Sequence, residues 1–282
     1  MKAIVADYRY RVLCMKIVPK TGTPVYLTDH VTDLTMSGHT YLSTSGYQFT
    51  GNSSTAGFTP SNIDIEGIVG LAGITRATVS SGVFDGARCY CFATSWVTPV
   101  EDQEPITAGV FGKTTLLDDK YVVNGTSLID ALNQTVGATY SVQCPKKFGG
   151  TEYAGCGVNL AFQTEMGTLT GVSSARVFSD GTRPETSGVF QAGTIEFLTG
   201  PNAGLKPLEI KSFTVPGIIE THEAFYYMPV IGNQYRIIRG CLKRSIDCKN
   251  RWDGFTTYSN MVNFGGFEYI PTGSVYAQRG TN

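Results

Sequence analysis

A chain of 282 residues is long enough for one large or two modest domains. Charged residues make up only 16% of it, where an ordinary soluble protein has about 25%, and the formal net charge is −1. This balance provides no general basic face for a phosphate backbone, so it argues against nucleic-acid binding.

The amino-terminal apolar run stops at Asp7, before it reaches the roughly 7–15 residues of a signal-peptide core. No apolar stretch approaches the roughly 18 residues of a membrane helix. We therefore expect neither export nor stable membrane insertion. In a reducing cytosol, the seven cysteines are expected to bind metal or to be buried rather than to form disulfides.

Short β-type runs of period two alternate with turn residues, which predicts a mainly β fold. Strands are predicted at residues 8–18, 24–28, 88–97, 120–123, 194–198 and 235–238. Turns are predicted at residues 123–125, 180–181 and 201–204. Helices are predicted only at residues 74–81 and 128–134.

Four cysteines form two pairs: Cys144 and Cys156 in CPKKFGGTEYAGC, and Cys241 and Cys248 in CLKRSIDC. Residues 166–238 between the pairs are mostly β-patterned, which predicts a small domain whose two ends return to one place. Four thiolates gathered there would suit either Zn²⁺ or an iron–sulfur cluster, since both favour sulfur ligands.

The spacing of the cysteines weakly favours the iron–sulfur cluster. Neither pair has the two to four intervening residues of a zinc knuckle, whereas gaps of eleven and six residues suit loops around a larger object. Structural zinc remains the alternative, and four unliganded buried thiols are a third interpretation. Glycines that permit close backbone approach flank the cysteines, at Gly149, Gly150, Gly155, Gly157 and Gly240.

The other three cysteines, Cys14, Cys89 and Cys91, lie in β-patterned runs. Cys89 and Cys91 are two residues apart, which places both on one face of a strand. We expect core packing for them.

Four stretches of the sequence carry a resemblance to a known family. They are TDHVTDL at residues 28–34 with Gly38 and Tyr41, GVFDGA at residues 82–87, the first cysteine pair ending in CGVNL, and the second pair followed by KNR, NFGGF and Ile270-Pro271. Together they resemble the tailed-phage tail-tip hub proteins, a family that includes the phage lambda minor tail protein L and the hub protein of gene transfer agents.

The resemblance implies a structural virion protein of a siphophage, a tail-tip or baseplate hub subunit without enzymatic activity, assembled in the host cytoplasm. It implies a homotrimer between the distal tail protein ring and a central tip or fibre protein. It also implies a [4Fe-4S] cluster on Cys144, Cys156, Cys241 and Cys248, which we interpret as a structural staple. Two departures from the family pattern are a longer first gap and an apparent insertion at residues 253–261.

The predicted architecture has two barrel- or sandwich-like β-domains with an iron–sulfur-binding C-terminal junction. Residues 1–140 would form an N-terminal hub domain, and residues 166–238 a small inserted β-domain. Residues 141–165 together with 239–282 would form the cluster-binding region.

Two other functional classes compete with this interpretation. A cell-wall-degrading enzyme would need a catalytic group, for which only His30, His39 and His222 are available; His30 lies between Asp29 and Asp33, in a pattern more typical of turn caps. A receptor- or glycan-binding module is suggested by the aromatic residues Trp96, Trp252, Tyr226 and Tyr227.

Overall fold

The computed structural model describes residues 9–43, 48–52, 62–70, 73–97, 103–127, 140–151, 155–250 and 260–269. The chain divides into two compact units, Met1–Thr135 with Gly204–Lys206, and Val136–Ala203 with Pro207–Asn282. Both are built mainly from strands, which confirms the mainly β fold class. The division into residues 1–140, 166–238 and a cysteine region stays a prediction, and the helix predicted at residues 128–134 lies outside the described residues.

The first unit contains an antiparallel sheet of seven strands. The strands described in this unit are β1 (Arg11–Val18), β2 (Val25–Thr28), β3 (Leu34–Met36), β4 (His39–Tyr41), β5 (Gln48–Asn52), β6 (Asn62–Ile68), β7 (Arg88–Ser95), β8 (Glu104–Leu117) and β9 (Lys120–Ser127). The sheet order is β2-β1-β7-β8-β9-β6-β5, and β3 and β4 form a separate hairpin.

Strand β1 is covered on both of its faces. Met15 and Ile17 point into the main core of the unit, while Val12 and Cys14 pack against residues of the β3–β4 hairpin. Burial on both faces explains why the strict period of two breaks in the middle of this strand.

Cys89 and Cys91 both lie in the main core, as their two-residue spacing predicted. Burial raises the pKa of Cys89 to about 11 and that of Cys91 to about 12. Cys14 is buried on the hairpin side, and its pKa is also raised to about 11. The three thiols are therefore protonated, unreactive core residues at neutral pH.

Helix α1 (Arg76–Ser80) confirms the helix predicted at residues 74–81. It begins with a capping box, in which the Thr75 side chain accepts from the Thr78 N–H and the Thr78 side chain accepts from the Thr75 N–H.

The turn predicted at residues 123–125 is wrong, because Asn124 and Gly125 lie inside β9. Gly125 pairs with Ile63 of β6 on one side and with Phe111 of β8 on the other. Pairing on both sides holds the Asn-Gly dipeptide in an extended conformation despite its turn propensity.

The second unit contains another antiparallel sheet of seven strands. They are β10 (Thr164–Thr168), β11 (Gly171–Val172), β12 (Val177–Ser179), β13 (Thr194–Phe197), β14 (Leu208–Thr214), β15 (Ile218–Thr221) and β16 (Gln234–Ile238), in the order β10-β16-β13-β14-β15-β12-β11. The turns predicted at residues 180–181 and 201–204 are confirmed. Outside the sheet lie helix α2 (Ser245–Asn250) and the 3₁₀ turns Leu160–Gln163 and Asn260–Asn263.

The two edge strands of this sheet, β10 and β11, are consecutive parts of one bent segment. The Leu169 N–H donates to the Asn233 carbonyl at 3.0 Å, which extends the β10–β16 ladder, and the Thr170 N–H donates to the Ser179 carbonyl at 2.9 Å, which extends the β11–β12 ladder. The same segment thus forms both edges and closes the sheet into a barrel.

The closed barrel also brings its entry and exit together. Thr164, where β10 begins, pairs with Ile238, where β16 ends. One residue further out on each side, the Arg239 N–H donates to the Gln163 carbonyl at 2.9 Å. The segment that precedes Gln163 and the segment that follows Arg239 therefore leave the barrel side by side. The first carries Cys144 and Cys156, and the second carries Cys241 and Cys248.

A buried polar network lies within the barrel. The Tyr235 hydroxyl donates to Asp180 Oδ2 at 2.7 Å, and Arg183 donates through Nε to the Tyr235 hydroxyl and through Nη1 to Glu185, both at 3.0 Å. Burial alone would raise the pKa of Asp180, but hydrogen bonds from Thr182 and Tyr235 and the charge of Arg183 hold it below its ordinary value.

In the first unit, the ring of Tyr121 occupies the space above Gly67. A Cβ atom at Gly67 would lie 2.3 Å from the Tyr121 ring, and the buried Tyr121 hydroxyl has no hydrogen-bond partner among the described residues. We expect Gly67→Ala to lower the free energy of unfolding by about 1–3 kcal/mol through overpacking.

Tyr121→Phe removes the unpaired hydroxyl and should raise the free energy of unfolding by about 1 kcal/mol. Urea denaturation of the full chain measures both, and a stabilising Gly67→Ala would contradict this packing.

The Asp180 network predicts a specific pH dependence. A carboxylate with a lowered pKa in the folded state stabilises the fold above its unfolded pKa of about 3.9, and this contribution is lost as the pH falls through the lower folded pKa. Asp180→Asn should therefore lower the free energy of unfolding by about 1–3 kcal/mol at pH 7, and by progressively less below about pH 4. Asp119→Asn, in an exposed ion pair with Arg76, is the control with little effect. Equal destabilisation by Asp180→Asn at pH 7 and pH 3 would refute the network's role.

Candidate metal centre

The four predicted ligands come from two segments that we call the first cysteine loop (residues 144–156) and the second cysteine loop (residues 241–248). Cys156 and Cys248 are buried in one apolar cluster, against which Cys241 packs. The apolar side chains around them are Phe148, Val158, Met261 and Phe264. Cysteines from both loops thus share one small core next to the barrel exit.

The thiols are close enough to affect each other's ionisation. Burial raises the pKa of Cys248 to about 11, with further contributions from the neighbouring Cys241, Cys144 and Cys156. Burial likewise raises the pKa of Cys241, although the N–H and the charge of Lys243 oppose that shift. The other three cysteines therefore lie close enough to Cys248 to disfavour its ionisation.

Three of the four sulfur atoms accept a backbone hydrogen bond. The Gly149 N–H donates to Cys156 Sγ at 3.3 Å, the Lys243 N–H to Cys241 Sγ at 3.4 Å, and the Gly265 N–H to Cys144 Sγ at 3.3 Å. Such donors stabilise a sulfur atom more strongly when it is an anionic thiolate than when it is a neutral thiol. They are also among the features that tune iron–sulfur clusters.

The glycines of the first cysteine loop allow two stretches of backbone to touch. The Gly157 N–H donates to the Gly150 carbonyl at 2.9 Å, and a Cβ atom at Gly155 would lie 2.0 Å from the Gly150 oxygen. The same close approach lets the Cys156 N–H donate to the Lys147 carbonyl at 3.1 Å. Sequence analysis singled out these glycines for close backbone approach, and the structure confirms it for Gly150 and Gly155.

In the second cysteine loop, an ion pair orients helix α2. Arg244 Nη2 lies 3.2 Å from Asp247 Oδ1, and the Asp247 Oδ2 atom accepts from the Arg244 N–H at 3.3 Å. Asp247 is buried next to Cys248, so the pair fixes the turn from which the Cys248 side chain projects.

A third segment, residues 260–269, which we call the C-terminal strap, crosses the first cysteine loop. The buried Asn260 donates through Nδ2 to the Cys156 carbonyl at 3.1 Å, and the Phe267 N–H donates to the Ser141 carbonyl at 2.8 Å. Sequence analysis did not identify Asn260 and Lys243 as residues that contact the cysteines. The NFGGF signature next to Asn260 marked the segment but not this residue.

The cysteines fit a thiolate-bound group by their chemistry. They supply four sulfur donors, three of them with N–H donors, and basic residues lie close to them in the sequence at Lys146, Lys147, Lys243 and Arg244. Within the described ranges, however, no group of three or more His, Cys, Asp or Glu residues is found that could hold a metal ion. The ligand set, and the choice between iron–sulfur and zinc, therefore stay predictions.

Three of the residues considered for catalysis make structural contacts with backbone groups. His30 Nδ1 contacts the Thr32 backbone, and its ring stacks on Trp96 with ring centres 5.3 Å apart. Asp29 accepts from the Leu13 N–H at 2.8 Å, and Asp33 accepts from the Ser43 N–H at 2.8 Å. His30 therefore holds its own turn, as expected, whereas Asp29 and Asp33 join segments 16 and 10 residues apart instead of capping a turn.

Of the aromatic residues considered for glycan binding, Tyr226 and Tyr227 are partly exposed and pack edge to face, with ring centres 4.7 Å apart. Trp96 is also partly exposed, and its Nε1 donates to the Arg9 carbonyl at 3.2 Å. Trp252 lies outside the described residues.

Comparison with known proteins decides the family. The model of the family described as "Baseplate hub protein, N-terminal attachment domain" matches residues 3–159, more than half of the chain. The chain belongs to this baseplate hub family. A second model, described as phage conserved hypothetical protein BR0599, matches residues 188–273. Among curated proteins, none matches the chain.

The fold of this hub protein is also found in a solved structure. A chain of the structure described as "Virion of native gene transfer agent (GTA) particle" is similar with a TM-score of 0.78 and 24% sequence identity, over 96% of the hub protein and 93% of that chain. This similarity concerns the fold, whereas membership of the baseplate hub family is what makes the protein a structural component of the virion tail tip. None of its described helices has the length and apolar character needed to cross a membrane.

The close backbone contact at Gly155 gives a direct test of the first cysteine loop. Gly155→Ala should force the two backbone stretches apart and lower the free energy of unfolding by about 1–3 kcal/mol. Gly181→Ala is the matched control in the same unit, because a Cβ atom there would meet its nearest neighbour at 3.6 Å without strain. Urea denaturation of both variants checks the expectation, and equal stability of the two would show that the contact does not constrain the loop.

Proposed function

We propose that this hub protein is the subunit that joins the distal tail ring to the central tip or fibre protein, and that it works as a homotrimer. We further propose that Cys144, Cys156, Cys241 and Cys248 hold a [4Fe-4S] cluster as a structural staple, with structural zinc as the alternative. One observation carries the second proposal. Cys156 of the first loop shares one apolar cluster with Cys241 and Cys248 of the second loop. Cys144 is joined to the second loop by the hydrogen bond from its N–H to the Lys243 carbonyl.

The staple role follows from the position of the loops. The barrel exit holds Gln163 and Arg239 together by one backbone hydrogen bond, and the cysteines lie just beyond this point on both segments. A bound cluster would supply metal–thiolate bonds between the two loops. Such a cross-link closes the long chain segment that forms the barrel, which reduces the entropy of the unfolded chain and stabilises the fold.

We propose a structural rather than an enzymatic role. The contacts of His30, Asp29 and Asp33 support this, since each holds a turn or a neighbouring segment in place. Membership of a family of baseplate hub proteins points in the same direction.

An exposed apolar loop supports contacts with other tail proteins. Tyr226, Tyr227, Met228, Val230 and Ile231 lie between β15 and β16 and are 40% to 63% exposed. Three aliphatic side chains beside the tyrosines are more typical of a protein interface than of a sugar platform. We therefore favour burial within the tail tip over glycan recognition.

Substitution of one cysteine in the intact phage tests the staple. Cys248→Ser removes one proposed ligand, and because structural metal sites contribute directly to folding, we expect few infectious particles and tails with a defective tip. Cys14→Ser is the control; its hydroxyl can bond Thr28, the present neighbour of the Cys14 sulfur at 3.6 Å. Complementation of a phage lacking the gene, with titre and electron microscopy as readouts, compares the two. A normal titre and normal tails with Cys248→Ser would contradict the proposed structural role of the cluster.

A further inference from the structure

Lys243, in the second cysteine loop, adopts a backbone conformation that is unfavourable for lysine. Its φ angle is 64°, in the left-handed region, where a residue with a Cβ atom is disfavoured by about 1–2 kcal/mol. Glycine would adopt this conformation without that penalty. Because a strained lysine stands at this candidate site where glycine would be unstrained, its side chain is a candidate for a functional role.

The contacts of Lys243 join the two cysteine loops. Its carbonyl accepts from the Cys144 N–H at 2.9 Å, and its own N–H donates to Cys241 Sγ at 3.4 Å. Its ammonium donates to the Lys146 carbonyl, across 97 residues of sequence. The first two contacts use only the backbone, so glycine would keep them. The third needs a cationic or amide donor at the end of a long side chain.

The charge of this ammonium also needs compensation. The Lys243 side chain is half-buried, and among the described residues no carboxylate forms an ion pair with it. The nearby Asp247 is instead engaged by Arg244. The Lys243 N–H already contacts the sulfur of Cys241, so thiolates formed on metal binding would place negative charge close to the ammonium.

We propose that Lys243 is a positioning residue that fixes the two cysteine loops against each other and supplies the positive charge for a thiolate-bound metal group. This inference rests on the proposed four-cysteine site. Metal ligation requires thiolates, and a neighbouring cation favours that form. The backbone contacts of Lys243 set the geometry, and its ammonium balances the charge.

The test uses the full-length protein, stripped of metal under anaerobic conditions, with Zn²⁺ as the probe in competition with a chelator. Lys243→Gln keeps a long polar side chain without charge, Lys243→Arg keeps the charge, and Lys243→Gly keeps the backbone contacts while removing the strain. Lys249→Gln is the matched control, since Lys249 is an exposed lysine of α2 that lies 4.0 Å from Glu268.

We expect Lys243→Gln and Lys243→Gly to lose roughly 10–100-fold in Zn²⁺ affinity, as is typical for residues that support metal ligands. Lys243→Arg should restore most of the affinity, and Lys249→Gln should retain it. A second readout is the rise in the thermal midpoint on Zn²⁺ binding, which should shrink in Lys243→Gln although the metal-free midpoint stays near that of the wild type. A purely structural role would lower the metal-free midpoint instead.

The outcomes separate this inference from the proposal on which it rests. Tight Zn²⁺ binding by the wild type with equal affinity in Lys243→Gln overturns the role of Lys243 and leaves the four-cysteine site standing. Wild-type affinity in Lys243→Gly, or a loss in Lys249→Gln as large as that in Lys243→Gln, overturns the specific role of the ammonium. A wild type that does not bind Zn²⁺ or reconstitute with iron and sulfide overturns both proposals.

Discussion

The pairing of the first and last barrel strands is the constraint on which the rest of the second unit depends. Because Thr164 of β10 lies opposite Ile238 of β16, the chain enters and leaves the barrel at the same place. The hydrogen bond between Arg239 and Gln163 continues this pairing beyond the sheet. Everything proposed for the cysteines follows from this return of the chain, which brings the two cysteine loops together.

The loops themselves are held by short polar contacts rather than by a large core. Glycines at positions 150 and 155 let the first loop fold against itself, Arg244 and Asp247 fix helix α2, and Asn260 attaches the C-terminal strap. Lys243 contacts both loops. The apolar cluster around Cys156 and Cys248 is small, so a metal cross-link would add stability that packing alone does not supply.

Much of this arrangement could be predicted from sequence. Period-two runs located strands such as β1 and β16, the Thr-capped helix α1 stood out by its pattern, and the glycine-flanked cysteine pairs identified the candidate site. The Asn-Gly of β9 was misjudged because its extended form depends on two neighbouring strands, which a local pattern does not contain. The left-handed Lys243 and the buried Asn260 were missed for a similar reason, since their roles arise from contacts with residues about a hundred positions away.

Metal analysis of the purified protein is the most direct test of the proposal that four cysteines cross-link the two segments at the barrel exit. The wild-type protein would be purified anaerobically, and its visible absorption, iron, acid-labile sulfide and zinc would be determined on one sample. The account predicts brown protein with iron and sulfide in equal amounts. Colourless protein with stoichiometric zinc would keep the staple but contradict the cluster, and protein without any bound metal would contradict the staple itself.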